Sequence, residues 1–475
     1  MVMGSLKQEA EVAVIGAGPG GYVAAIRAAD LGKDVVLIEE RDRPGGVCLI
    51  EGCIPSKALI TAVEIAESAR EASKMGLSFS DLKVDLEGLR KWTGRVVDGL
   101  TKGVSSLLKH RGVEVVHGRA RFADGKSLTI EGADISGIDF RHCIIAAGSG
   151  VIELPAAKGQ EVWSSKEALE LREIPETLLI VGGGYIGLEL GLVYAGLGSK
   201  VTVVELLPHL LVGPDRDLAD VVVKHCEKRF EAIEVDSKIV GLEKAGEGFA
   251  ASIEHKGETS VKEFSRVLVS VGRKPNTGDL GIENTKIERD DKGFIKVNEE
   301  CRTAEPNIFA IGDVTPGPML AHKATREAKV AAEVIANHQS AFDNRAIPAV
   351  VFTDPEIAWA GLTEHEAQEK NISVKVGRFP LRALGRARTL GRTDGLAKII
   401  TDPGSGIVLG VGLVGPHASE LIAEGTLALE MGATLEDMMV TIHPHPTMSE
   451  ALMEAAEVAA GSPVHINPPK GGKKE

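Results

Sequence analysis

Glu11-Val12-Ala13-Val14-Ile15-Gly16-Ala17-Gly18-Pro19-Gly20-Gly21 decides the fold. An apolar run that reads as a buried strand passes directly into a glycine loop. An alanine-rich helical stretch follows from Tyr22 to Leu31, and a second strand, Val35 to Ile38, ends in Glu39. A bare GxGxxG also suits an ordinary tight turn, but strand, helix and terminal acid together make a dinucleotide site. Gly16, Gly18 and Gly21 let backbone N–H groups and a helix N-terminus meet a pyrophosphate, and Glu39 can accept hydrogen bonds from a ribose.

The chain then repeats the pattern. Thr177 to Val181 reads as a strand, Gly182-Gly183-Gly184-Tyr185-Ile186-Gly187 is the loop, and Lys200 to Val204 is a strand ending in Glu205. The acid lies 23 residues past the first glycine in both copies (39 − 16 and 205 − 182). Two fingerprints imply two nucleotides. After Glu205 no arginine occurs until Arg216, so nothing is placed to hold a 2′-phosphate, and the second site is expected to prefer NAD over NADP.

Between the two copies lies Gly45-Gly46-Val47-Cys48-Leu49-Ile50-Glu51-Gly52-Cys53-Ile54-Pro55-Ser56-Lys57. Residues five apart in a regular helix rise roughly 7.5 Å, whereas disulfide Cα atoms lie about 4.4–6.8 Å apart. A Cys48–Cys53 disulfide therefore requires a bend, for which Gly45, Gly46 and Gly52 supply the freedom. Two reduced, buried cysteines satisfy the same sequence. Cys143, Cys226 and Cys301 lie far apart, so neither a disulfide framework nor a metal spacing is visible, and no metal is expected.

At 475 residues the length suggests about three domains. No uninterrupted apolar run reaches the roughly 18 residues of a membrane span, and no signal segment is evident, so no membrane partner and a cytoplasmic location are expected. With 68 acidic against 54 basic residues, the net charge of −14 disfavours nucleic acid. Cys143 to Ser149 reads as a strand closing the first unit. Asn307-Ile308-Phe309-Ala310-Ile311-Gly312-Asp313 is another strand ending in a glycine and an acid, followed by a helical stretch from Met319 to Ile335. Asp313 there could reach a ribityl hydroxyl, and the helix N-terminus could face a flavin pyrimidine. From Ile347 onward short strands and an amphipathic helical region replace the nucleotide pattern. This last part contains His443-Pro444-His445-Pro446-Thr447-Met448-Ser449-Glu450, in which proline after each histidine disfavours helix and Ser449-Glu450 can open one. A histidine tied to a carboxylate is a good proton acceptor; a pair of turn histidines beside a helix-start glutamate is the plain alternative.

In combination, from about Glu11 to Val458, these motifs resemble the flavoprotein disulfide reductases. The resemblance implies an α/β fold with two Rossmann-like dinucleotide-binding domains plus an α+β C-terminal dimerisation domain. The expected divisions are 1–150 for FAD and the redox disulfide, 151–275 for NAD, 276–346 for a central domain completing the FAD site, and 347–475 for a homodimer interface. It also implies that Cys53 is the thiolate beside the flavin, Cys48 the interchange thiol, His445 with Glu450 the base, and Lys57 the partner of Glu189. Cofactor contacts are expected in the first fingerprint at Gly16, Gly18, Gly21 and Glu39, and in the second at Gly182, Gly184, Tyr185, Gly187 and Glu205. Further contacts are expected at Gly46, Lys57, Gly118, Gly148 and Gly272, and around Asp313 at Met319, Leu320, Ala321 and His322.

The implied activity is NAD-dependent oxidation of protein-bound dihydrolipoamide. No stretch before residue 11 is long enough for a lipoyl domain, so the lipoyl group is expected to arrive on another protein; the resemblance implies a lipoyl domain and subunit-binding domain of an acyltransferase core, or a lipoyl carrier protein. Tyr185 departs from the usual pattern of this branch, many members of which carry an aliphatic residue there, and is similar to the tyrosine lid of glutathione-reducing members. Those members should carry arginines after the second fingerprint, where this chain has Glu205-Leu206-Leu207. Reduction of another small disulfide is one alternative. A non-catalytic flavin-bearing NADH sensor is the other, and the intact Cys48, Cys53, His445 and Glu450 set argues against it. The proline-, glycine- and lysine-rich tail after Ser462 is expected to be disordered.

Overall fold

The computed structural model describes residues 7–80 and 83–467. Its first sheet follows from the first fingerprint. Lys7–Ile15 pairs in parallel with Val35–Glu39 on one side and Gly137–Ile145 on the other, and Glu114–His117 extends the parallel run. Arg119–Asp124 and Ser127–Glu131 add an antiparallel meander. Ile308–Ala310 pairs in parallel with Gly137–Ile145, so the segment carrying Asp313 is built into the first sheet. Val12, Val14 and Ile144 are fully buried, as strands covered on both faces must be. The helices Pro19–Asp30 and Ala321–Ile335 cover one face, meeting through Ala24, Ala25 and Ala28 on one side and Ala328, Ala331 and Ala332 on the other.

The second unit has the order Ala232–Glu234, Lys200–Val204, Thr177–Val181, Arg266–Val269, all parallel. Its helix Tyr185–Leu197 is apolar on nearly every side, because sheet and redox helix enclose it. A three-stranded meander over 237–264 follows, which the sequence pattern did not separate. The chain crosses from first unit to second along Ser149–Val151 and returns along Arg273–Pro275; these two strands pair antiparallel. The last unit is a five-stranded antiparallel sheet over 349–414, covered by Ala418–Met431 and Glu450–Ala460.

One helical stretch, Gly46–Met75, is long and apolar enough by length and composition to cross a membrane, which a search for uninterrupted apolar runs does not detect. It is broken at Gly52, and Leu59, Ile60 and Val63 pack against Leu188 and Val193 in the core. The tail departs from expectation up to residue 467: His465 is hydrogen-bonded to the Glu454 carboxylate, a buried group that needs a partner. Residues 468–475, for which disorder is also expected, lie outside the described residues.

Candidate active site

The bend that a Cys48–Cys53 pair requires occurs at Gly52. Its φ of −144° and ψ of −115° end one helix, Gly46–Glu51, and start the next, Cys53–Glu71. A Cβ there would lie 2.8 Å from the Val47 carbonyl oxygen, so only glycine fits. As two thiols, the reduced form of the expected disulfide, the cysteines hydrogen-bond to each other. The hydrogen bond from Cys48 and, less strongly, the Lys57 ammonium lower the Cys53 pKa, and against burial and the Glu189 charge it comes to about 7. The same bond, with burial, pushes the Cys48 thiol well above its ordinary value. The reduced pair is thus polarised, with Cys53 the thiolate and Cys48 the donor.

Lys57 lies one turn beyond Cys53. Its Nζ is 2.8 Å from Glu189 Oε2 and 4.5 Å from the centre of the Phe352 ring. Glu189 Oε1 accepts the Phe352 N–H at 2.9 Å. First, second and last units therefore converge on one ion pair, and Phe352 carries no motif that could have announced it.

Cys48, Cys53, Lys57 and Glu189 open onto a cavity of about 580 Å³. Of the expected contacts, Gly16, Gly18, Glu39, Gly46, Gly118 and Gly148 line it, as do Tyr185, Asp313, Met319 and Ala321. Gly21, Gly272, Leu320 and His322 do not, and neither do Gly182, Gly184 and Gly187. Gly21 instead lets helix and strand approach: a Cβ would fall 1.7 Å from Gly16 O, and in the second copy Gly187 stands 2.3 Å from Gly182 O by the same measure. His322 Nε2 donates to the Pro348 carbonyl at 2.7 Å, away from the cavity. Glu39 accepts the N–H groups of Ala17 (2.7 Å) and Arg41 (3.0 Å); Glu205 accepts those of Gly183 (2.6 Å) and Leu207 (2.8 Å). Each acid thus braces its own glycine loop.

The donor set fits FAD. A glycine loop and helix start that admit a pyrophosphate lie at one part of the cavity, the Asp313 carboxylate at another, and the thiols beside them. Several supports have no sequence signature. Ser149 Oγ donates to Asp313 Oδ2 at 2.5 Å, and Arg273 Nε donates to Ser149 Oγ at 2.7 Å. Beneath the Asp313 turn, Glu327 accepts the Gly312 N–H at 2.6 Å, while Lys323 Nζ donates to Gly312 O at 3.2 Å and Thr315 Oγ1 at 2.8 Å. The Lys323–Glu327 pair is 2.9 Å apart, with side chains only 3% and 5% exposed. Its one readable trace is the i,i+4 spacing of opposite charges.

His445 and Glu450 are brought together as expected: Nδ1 donates to Glu450 Oε1 at 2.8 Å, and Glu450 Oε2 also accepts the Thr447 N–H at 2.7 Å. This bond fixes the tautomer and leaves Nε2 free to accept a proton. The His445 side chain is 77% exposed and is absent from the lining of its own chain's cavity. His443 is the opposite case, buried with Nε2 2.7 Å from Glu424. Asp215, Asp217 and Glu364 cluster closely enough to ligate a cation, but Lys398 Nζ already bridges them at 2.8, 2.6 and 2.6 Å.

A thiol pair, an ion pair beside it and two nucleotide units define a class, and the family comparison agrees. Residues 10–328 match the pyridine nucleotide-disulphide oxidoreductase family and 347–456 match its dimerisation domain; the chain belongs to this family. Within it, the chain is 46% identical to a dihydrolipoyl dehydrogenase of Geobacillus stearothermophilus over 468 residues, covering 98% of this chain and 99% of the relative. It is 49% identical to the dihydrolipoyl dehydrogenase of Haloferax volcanii over 473 residues, with the same coverage. The solved structure of LpdA from Mycobacterium tuberculosis superposes with a TM-score of 0.87 at 26% identity, covering 95% of this chain and 99% of that one.

Proposed function

We infer that this chain, as a homodimer, oxidises protein-bound dihydrolipoamide to lipoamide with FAD and NAD+. The observation that carries the reading is the polarised pair: a protonated Cys48 and a Cys53 whose pKa falls to about 7, beside the Lys57–Glu189 ion pair on the FAD cavity.

The residues act in order. His445 Nε2 takes a proton from one lipoyl thiol, and the resulting thiolate attacks the Cys48 sulfur of the oxidised pair. The Cys48–Cys53 bond breaks and Cys53 leaves as thiolate, which its low pKa favours. The second lipoyl thiol passes its proton to Cys48 as its sulfur closes on the first, releasing the cyclic disulfide. One proton then rests on Cys48 and one on His445, whose imidazolium Glu450 stabilises. FAD, when bound, carries the two electrons of the dithiol to NAD+ as hydride. Glu205 and the Gly182–Gly184 turn, which Gly187 lets pack closely, would hold NAD+, and Tyr185, 41% exposed at the cavity edge, would cover the nicotinamide side.

Because His445 is exposed and does not line its own chain's cavity, it serves the thiols of the partner subunit. The lipoyl group arrives in the cytoplasm on a lipoyl domain, held near by the subunit-binding domain of an acyltransferase core, or on a lipoyl carrier protein. Steady-state rates test the reading: dihydrolipoamide with NAD+ should exceed glutathione disulfide with NADPH by more than about a hundredfold in kcat/KM, a margin of roughly 2.7 kcal/mol. Comparable rates would instead favour reduction of a small disulfide.

A further inference from the structure

We propose that the arginine loop at 378–395 docks the protein that carries the lipoyl group, and that this partner presents an acidic face. The proposal rests on the activity inferred above. The run contains Arg378, Arg382, Arg386, Arg388 and Arg392 against one carboxylate, Asp394, in a chain of net charge −14. Arg378 pairs with Asp217 and Glu364, and Arg392 with Asp354. Arg382, Arg386 and Arg388 are exposed, and among the described residues none of them has an acidic partner. They are nevertheless held: Arg388 Nε donates to the Arg382 carbonyl at 2.7 Å and Arg386 Nη1 to Thr389 Oγ1 at 3.3 Å.

The loop is also well placed. Leu381, Leu384 and Ala387 are buried in one core with Met448, Ala451 and Leu452, so the arginines are mounted on the core that carries the His445 motif. On its other side, a Cβ at Gly391 would lie 3.2 Å from Met75 Cε, and Met75, Leu77 and Phe79 are exposed at the end of the Cys53 helix and just beyond it. A positive rim beside an apolar patch suits a folded acidic partner. Local positive potential on an otherwise negative molecule raises the encounter rate with such a partner and gives nothing to an uncharged substrate. Dihydrolipoamide is uncharged, so only its protein-borne form gains.

The test compares wild type with R382Q/R386Q/R388Q and with the corresponding triple lysine variant. Each is assayed on free dihydrolipoamide and on the isolated, reduced lipoyl domain of a 2-oxoacid dehydrogenase acyltransferase. With the lipoyl domain, the glutamine variant should lose about tenfold in kcat/KM while free dihydrolipoamide stays within about twofold, and the lysine variant should stay near wild type. Raising the ionic strength from about 0.01 to about 0.15 M, which shortens the screening length from ~30 to ~8 Å, should slow wild type toward the glutamine variant. Unchanged lipoyl-domain kinetics overturn the proposal. So does a parallel fall on both substrates, or loss of the dimer on sedimentation, since the arginines would then serve the fold or the contact between copies. Failure of wild type on free dihydrolipoamide would instead overturn the inferred activity itself.

Discussion

Removing one member of the Lys323–Glu327 pair should destabilise the protein with opposite pH dependence according to which member is lost. The side chains are 3% and 5% exposed, so neither charge has bulk water to fall back on. Breaking a buried pair from one side costs about 3–5 kcal/mol. A ceiling comes from neutralising the survivor at pH 7: about 4.6 kcal/mol for a lysine with an ordinary pKa near 10.4, and about 3.7 for a glutamate near 4.3. Lys323→Met leaves a carboxyl whose pKa burial already raises. Native Glu327 then holds a proton that the unfolded chain releases, so stability falls as pH rises, by up to about 1.4 kcal/mol per pH unit. Glu327→Gln leaves a lysine that sheds a proton on folding, so the unfolded chain binds more protons and stability rises with pH at a similar slope. Urea unfolding followed by tryptophan and released-flavin fluorescence at about pH 6 and pH 8, each referred to wild type, reads the two slopes. Both variants should also release FAD more readily, because beneath Asp313 Lys323→Met removes the donor to Gly312 O and Thr315 Oγ1, and Glu327→Gln removes the charge on the acceptor of the Gly312 N–H. Slopes of the same sign, or none, would show that water reaches the pair and that it does not clamp the turn.

Alkylation of the reduced enzyme should follow the Cys53 thiolate, rising with pH through about 7. Cys48→Ala should move that midpoint upward most and Lys57→Met less, the order of their influence; a wild-type midpoint near the ordinary thiol value of about 8.5 would refute the polarised pair. Glu205→Arg should lower kcat/KM with NAD by roughly tenfold or more and raise the relative use of NADP, since a carboxylate repels a 2′-phosphate. An unchanged cofactor ratio would place Glu205 away from the ribose. Tyr185→Ala should raise oxygen consumption under NADH several-fold, and no change would argue against a lid.

The parts of this molecule legible in sequence are those whose constraint is local. Gly21 must approach Gly16 O within one loop, and the repeat of that loop at Gly187 and Gly182 is carried by identity alone. His445 and Glu450 lie five residues apart, so their contact needs only the helix start at Glu450. Phe352, Ser149 and Arg273 were invisible because distant segments supply their partners: 163 residues separate Phe352 from Glu189 and 124 separate Arg273 from Ser149. His322 lies within the expected cofactor run yet turns to Pro348, since side-chain direction at a helix start depends on what packs outside it. The thiol pair was legible as a pair, but its polarity followed only from the family resemblance, because the residues alone do not show how Cys48, Lys57 and Glu189 act on Cys53 together.

On the proposed reading, dihydrolipoamide oxidation uses the dithiol of one chain and the histidine of the other. Co-expressed Cys48→Ser and His445→Gln chains, separable by different tags, test it most directly. Each parent homodimer should be nearly inactive. In the mixed dimer the His445→Gln chain keeps a normal Cys48–Cys53 pair, and the Cys48→Ser chain presents a normal His445 to it, so one working site is restored and dihydrolipoamide oxidation with NAD+ should reach about half the wild-type rate per dimer. Mixed dimers with normal FAD content that remain as inactive as either parent would contradict the account, because the base would then act within its own chain.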